Sequence, residues 1–164
     1  MQIREDDLSG EAVINLLKEH LEHMQAITPV GSVHALDLSG LRAPEVTFWT
    51  LWDKDELLGC GALKELGSRV GEIKSMRTAS KHQRKGVAST LLEHILAEAE
   101  SRGFEKVLLE TGATEHFAPA RALYTKYGFT PCGPFGNYHE DPHSIFMSLT
   151  FPSSHWDELE QLRL

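Results

Sequence analysis

A single change of periodicity constrains this chain more than any other feature. From residue 46 to residue 78 the pattern is that of strands. "VTFWTLW" is β-branched and aromatic, "DKDE" makes a turn, and "LLGCGALKEL", "GS" and "RVGEIKSMRT" follow. Such runs, joined by short turns, predict a meander of three antiparallel strands. At residue 87 the period becomes helical. In "VASTLLEHILAEAESRG" the apolar positions Val87, Leu91, Leu92, Ile95, Leu96 and Ala99 recur at helical spacing, and Gly103 stands where a helix is capped. A meander followed by an amphipathic helix predicts a layered α+β domain.

The flanking segments extend this plan. "MQIRED" alternates as a short strand. "SGEAVINLLKEHLEHMQAI" predicts a helix capped by Ser9, with Val13, Leu16, Leu17, Leu21 and Met24 on one apolar face. "TPVGSVHALDLSGLRAPEV", with two glycines and two prolines, reads as a long loop holding one helical turn. "FEKVLLET" has the continuous apolar run of a buried strand. "HFAPARALYTKYG" is a helix with Pro119 near its start and Gly128 past its end. "FTPCGPFGNYH" and "SIFMSLTF" are the expected closing strands. In the tail, residues 152–164, Trp156, Leu159 and Leu162 predict a helix, either covering a core edge or forming a dimer contact. With no repeat or linker, residues 1–164 read as one domain.

Composition narrows the function classes. The net charge of -8 argues against a sequence-independent nucleic-acid binder, which relies on a basic surface. No apolar run reaches the ~20 residues of a membrane helix, and "MQIREDDLSG" lacks an apolar leader core, so no membrane partner and a cytoplasmic location are expected. Cys60 and Cys132 fit reduced thiols better than a disulfide framework.

The stretch "HQRKGVAST" lies at the change of period. A helix start leaves four amides without partners and carries partial positive charge. Gly86 admits a ligand to the backbone, Ala88 keeps the next turn clear, Arg84 and Lys85 add cations, and Ser89 and Thr90 add hydroxyls. Those are the requirements for binding a pyrophosphate. Taken alone, the stretch is better described as a basic turn before a surface helix, since Gly-containing turns before helices are common. A nucleoside-triphosphate loop fails, because no Gly-Lys-Ser/Thr follows the GxxxxG spacing.

Gln83-x-x-Gly86-x-Ala88 resembles the (Gln/Arg)-x-x-Gly-x-(Gly/Ala) acyl-CoA signature of the GNAT N-acetyltransferase superfamily. "GEIKSMRT" resembles the fourth strand of that fold, and "ARALYTKYGF" its A-x-x-L-Y-x-x-x-G-F helix, in matching order across residues 46 to 150. The resemblance implies an acyl-CoA N-acyltransferase fold, a mixed, mostly antiparallel central sheet flanked by helices. It implies acetyl-CoA as co-substrate, with pyrophosphate on the Gln83–Ser89 loop, chiefly on the amides of Arg84, Lys85, Gly86, Val87 and Ala88. It implies pantetheine beside Met76, Arg77 and Thr78, the Met76 amide facing the thioester oxygen. Dimers are common in the family, so a homodimer is among the implied assemblies.

Acetyl transfer to an amine sets further demands. A lysine-like amine, with a pKa of about 10.4, must lose a proton. The developing oxyanion needs donors, and the departing thiolate benefits from a proton. Tyr124 matches the family tyrosine taken as general acid; packing in the core is its alternative reading, one that fits Tyr127 better. Seven residues earlier the family often has Asn, where this chain has Phe117, implying an apolar cofactor contact there. Glu72 is the first candidate base, placed by strand alternation on one face with Lys74 and Met76; a solvent-facing Glu72 paired with Lys74 or with a neighbouring strand is the even alternative. Glu110, at the end of "KVLLET", is the second candidate. His34 and His139 lie in loops near the implied acceptor side and are candidate substrate residues. His139, Asp141 and His143 lack diagnostic spacing, and no metal is expected.

The expected function is therefore acetyl-CoA-dependent N-acetylation of a primary amine on a small molecule, amino acid or peptide, by direct attack in a ternary complex. Asp37, Glu110, Glu140 and Asp141 suit a cationic acceptor, whereas Arg42, Arg77 and the histidines suit an acceptor carboxylate. The alternatives are a non-catalytic acyl-CoA sensor and a protein lysine or N-terminal acetyltransferase.

Overall fold

The computed structural model describes residues 1–27 and 38–152. In chain order the elements are β1 (Gln2–Glu5), α1 (Glu11–Ile27), α2 (Leu38–Leu41), β2 (Val46–Asp53), β3 (Glu56–Gly67), β4 (Val70–Thr78), α3 (Val87–Ser101), β5 (Lys106–Gly112), α4 (Ala118–Lys126), β6 (Thr130–Cys132) and β7 (Ser144–Thr150). Short 3-10 turns at Ser80–His82 and Glu115–Phe117 lead toward α3 and α4. The seven strands form one sheet in the order β1-β2-β3-β4-β5-β7-β6. Each neighbouring pair is antiparallel except β4–β5, which is parallel because α3 carries the chain back across the sheet. This is the expected mixed, mostly antiparallel sheet flanked by helices.

Two apolar layers cover the sheet. On one face Val87, Leu91, Leu92 and Ile95 of α3 pack with Leu51, Leu63, Ile73 and Val107. On the other, Val13 and Leu16 of α1 pack with Leu8, Leu41, Phe48, Cys60 and Ala62. Leu21 of the α1 stripe does not join this layer and is 39% exposed. Ser9 does not cap α1 as expected: its hydroxyl bonds to Asp7, and the Gly10 carbonyl accepts the first helical bond, from Ile14. Only Thr130–Cys132 of the first closing segment is strand. Pro134 has no amide to donate to a ladder, and Gly133 and Gly136 weaken a strand further. The tail with Trp156, Leu159 and Leu162 lies outside the described residues.

The pairing of β4 with β5 is short. It runs from Val70–Lys106 to Ile73–Leu109 and then stops. Beyond that point β4 continues to Thr78 on β3 alone, and β5 continues to Gly112 on β7 alone. The strands part, and the edge of β4 from Lys74 onward faces the opening.

A bulge sits on that edge. Between the pairs Ala62–Lys74 and Cys60–Arg77 the β4 strand carries one extra residue, with Ser75 in the left-handed region at φ 55. The Cys60 thiol donates to the Ser75 carbonyl at 3.3 Å. The extra residue inverts the alternation, so Met76 does not share a face with Glu72 and Lys74 as expected. Met76 instead packs on the α3 layer, close to Ile95, and Arg77 turns toward α1.

Close approach of α3 requires glycine on β3. A Cβ on Gly59 would lie 2.7 Å from Val87 Cγ1, and one on Gly61 would lie 2.9 Å from Ile95 Cδ1 and overlap the Met76 sulfur. Gly61→Ala is expected to destabilise the fold by about 1–3 kcal/mol through overpacking. That corresponds to roughly 2–4 °C of Tm per kcal/mol for a chain of this size. An unchanged thermal melt would show that Met76 and Ile95 can separate freely.

Candidate active site

The loop between β4 and α3 has the form expected of an anion cradle. Gly86 is the N-cap of α3, left-handed at φ 78, and no side chain caps the helix. The amides of Val87, Ala88 and Ser89 are the ones a helix leaves without an intrahelical acceptor. Arg84 is also left-handed, at φ 67, a conformation that costs a non-glycine residue about 1–3 kcal/mol. Two side chains behave differently from expectation. The Thr90 hydroxyl turns back to the Gly86 carbonyl at 2.8 Å. Lys85 Nζ donates to His82 Nδ1 at 3.1 Å, which leaves the ring's Nε2–H to donate to Glu56 at 2.8 Å. His82 is buried and ties this loop to the start of β3; nothing in its sequence context marked it.

Tyr124 sits in the apolar layer under α3, its ring edge-on to Phe129 at 5.7 Å. Burial pushes its phenol up to about 12, so the proton stays on oxygen at neutral pH. The buried tyrosine is thus Tyr124, whereas the Tyr127 hydroxyl reaches out to Glu93 on α3. Phe117, in place of the polar residue, packs against Gly112 at the end of β5, where any Cβ would collide with its ring.

On the opposite face, Glu72 is 4% exposed and already has partners. Its Oε2 forms an ion pair with Lys74 at 3.0 Å and accepts the Tyr138 hydroxyl at 2.8 Å. Lys74 also donates to Tyr138, at 2.7 Å, closing a three-membered ring of side chains. Burial and the Glu72 carboxylate raise the Tyr138 phenol well above its ordinary value. Phe135 and Phe146 pack against the Tyr138 ring at 5.2 and 5.5 Å. Glu110 accepts the Ser144 hydroxyl at 2.8 Å, and its charge also acts on Tyr138.

At the end of β4, Arg77 pairs with Glu19 of α1 at 2.8 Å, and Ser80 bonds the same carboxylate oxygen. Arg77 Nε and His20 Nδ1 are buried without a partner. Burial, then the charge of Arg77, pushes the His20 imidazole down to about 4, so it is neutral at pH 7. One turn further along α1, His23 Nε2 is hydrogen-bonded to Nε2 of His116. Arg42, considered for an acceptor carboxylate, instead donates to the Leu8 carbonyl at 2.7 Å. His139 is exposed in the loop between β6 and β7, with Glu140 beside it. His34 and Asp37 lie outside the described residues.

The structure therefore brings Glu72, Met76, Arg77, Thr78 and the Gln83–Ser89 loop to one strand and its exit, and places Tyr124 and Phe117 on α4 and its entry. The pairing of Glu72 with Lys74, two residues away, was open to sequence reasoning. It missed Tyr138 as the partner of both, the burial of that pair, and the contact between His23 and His116. Those contacts join residues 64 to 93 positions apart, and no local spacing announces them.

Comparison with known proteins agrees with this geometry. Residues 11–129 match the family described as Acetyltransferase (GNAT) family. The chain is 56% identical over 148 residues to the uncharacterized N-acetyltransferase YsnE of Bacillus subtilis (strain 168), covering 90% of this chain and 98% of that one. It is 48% identical over 148 residues to the uncharacterized N-acetyltransferase YedL of Escherichia coli (strain K12), covering 90% and 93%. Among solved structures, an aminoglycoside 6'-acetyltransferase type Ii superposes with a TM-score of 0.70 at 21% identity, covering 93% of this chain and 99% of that one. A Bacillus subtilis acetyltransferase in complex with CoA superposes with a TM-score of 0.66 at 17% identity, covering 92% and 99%. The described sheet, its opening and the family match lead to one conclusion: the chain belongs to the acetyltransferase (GNAT) family and is an N-acetyltransferase.

Proposed function

We propose that this N-acetyltransferase uses acetyl-CoA and delivers the acetyl group to a primary amine of a small molecule, amino acid or peptide by direct attack while both substrates are bound. The observation that carries the reading is the opening between β4 and β5, with uncapped α3 amides at the exit of β4. The amides of Arg84 to Ser89 hold the pyrophosphate, and the free edge of β4 from Met76 to Thr78 pairs with the pantetheine as a strand would. Bound acetyl-CoA supplies the electrophilic thioester. Tyr124 supplies the proton to the departing sulfur. A relay through Cys60 has no support, because burial raises its thiol to about 12 and keeps it protonated.

For the amine's proton two roles of Glu72 compete. Its Oε1 lies outside the bonds to Lys74 and Tyr138 and is placed to act as base, directly or through a water. The commitment of Oε2 favours the second role, in which Glu72 anchors Lys74 and Tyr138 and the proton goes elsewhere.

Three measurements test these assignments. Titration calorimetry should show acetyl-CoA binding, weakened about tenfold or more in Gly86→Ala, since φ 78 strains any residue with a Cβ; no heat with wild type would remove the reading. Tyr124→Phe should lower kcat about 100-fold with acetyl-CoA affinity unchanged. Because its phenol lies at about 12, Tyr124 stays protonated as pH rises to about 10 and should give no alkaline fall in kcat over that range. Glu72→Gln should abolish the acidic limb of the kcat profile if Glu72 is the base. A limb that stays in place, with a lowered Tm, assigns Glu72 to the anchoring role.

A further inference from the structure

We propose that the hydrogen-bonded pair His23–His116 is the proton acceptor for the attacking amine. The proposal rests on the acetyl-transfer reading and supplies the base that a committed Glu72 leaves open.

Position is the first argument. His23 lies on α1 one turn beyond Glu19, the residue bonded to Arg77 at the end of β4. His116 lies in the 3-10 turn that follows β5, next to the Phe117 ring that covers Gly112. Their contact, with ring centroids 4.4 Å apart, therefore links the element over the end of β4 to the segment leaving β5. Those are the two strands that part. The pair spans the opening on the α1 face, and the His116 ring is exposed, so an amine and solvent can both reach it.

Proton chemistry is the second argument. A neutral imidazole has one N–H and one lone pair. Two imidazoles joined Nε2 to Nε2 share one proton in that contact, and one ring keeps a free basic Nδ1. A proton taken there turns the shared contact into a charge-assisted hydrogen bond, which stabilises the singly protonated pair. A second proton would place like charges in contact beside Arg77. The pair thus accepts one proton and resists two. Among the described residues, the charged and titratable groups acting on it are Glu19 and His20 on α1, Arg77 on β4, and the two rings themselves. Burial, then Arg77 and His116, lower the His23 pKa, which keeps the pair ready to accept at neutral pH. Glu72 is buried with its Oε2 committed to Lys74 and Tyr138, and Glu110 accepts the Ser144 hydroxyl, whereas the His116 ring is exposed.

The step balances. The amine nitrogen bonds to the acetyl carbon as the carbon–sulfur bond breaks. The amine's proton passes to the imidazole pair, and the sulfur takes the phenolic proton of Tyr124. The pair and Tyr124 then return to their starting states by proton exchange with water.

The test uses the full chain with acetyl-CoA and three probe amines, tryptamine, lysine and spermidine, following thiol release from pH 5.5 to about 9. His116→Gln and His23→Gln are each expected to lower kcat about 100-fold and to remove its acidic limb. Acetyl-CoA affinity and Tm should stay at the wild-type value. His116→Ala should regain rate on addition of free imidazole, which a merely structural histidine would not allow. If wild type binds acetyl-CoA and turns over a probe while the variants keep the acidic limb, the assignment to the pair is wrong and the acetyl-transfer reading stands. If wild type releases no thiol with any probe, the reading and the assignment fall together.

Discussion

The opening between β4 and β5 is the constraint on which the rest of the structure depends. Inside a continuous sheet each strand satisfies its neighbour's amides and carbonyls. Here the parallel ladder ends at Ile73 and Leu109, while both strands run on. The edge of β4 thereafter presents backbone groups that water or a ligand must satisfy. A parallel pair can be opened this way because its two strands are linked only through the long crossover of α3, not by a tight turn. The same crossover starts with the uncapped amides at Gly86. One topological choice therefore supplies both a slot for an extended chain and a positive terminus at its end.

The bulge at Ser75 divides the labour between the faces of β4. Without the extra residue Met76 would point with Glu72 and Lys74, and Arg77 would enter the α3 layer, where a guanidinium has no partner. With it, Met76 fills the apolar gap over Gly61, and Arg77 reaches Glu19. A partly exposed pair of this kind contributes only about 0–1 kcal/mol, so it orients α1 more than it stabilises it. The packing of α1 comes from Val13 and Leu16. Past them the helix runs over the opening rather than over core, and its sheet-facing positions change from apolar to His20 and His23.

The parts that could be read in advance share a physical reason. Strands, helices and their order follow from local periods, and Gly86, Gly103 and Gly128 mark places where the chain must take positive φ. The form of the loop Gln83–Ser89 was legible because a tight turn into an uncapped helix start calls for glycine and small residues. What was not legible depends on distance in sequence or on one inserted residue. Alternation from Glu72 to Met76 looked regular, and a bulge leaves no mark in residue types. Tyr138 meets Lys74 and Glu72 only because the loop before β7 folds over β4. The apolar stripe through Leu21 was read as core, although the sheet beneath it ends in an opening.

This difference separates the two halves of the site. The cofactor half proposed for it is made of backbone, so it tolerates wide change in side chains provided glycine and small residues hold their places. The acceptor half proposed for it is made of side chains brought from α1, β4, the turn after β5 and the loop before β7. Its charges are matched locally, Lys74 with Glu72 and Arg77 with Glu19, so the net charge of -8 says little about what it receives. Changing one side chain there leaves a buried partner unpaired, which costs more than the pair contributes. Under that proposal acceptor choice should shift through exposed members outside the proton-accepting pair, such as His139, while the buried ring around Glu72 stays as a unit.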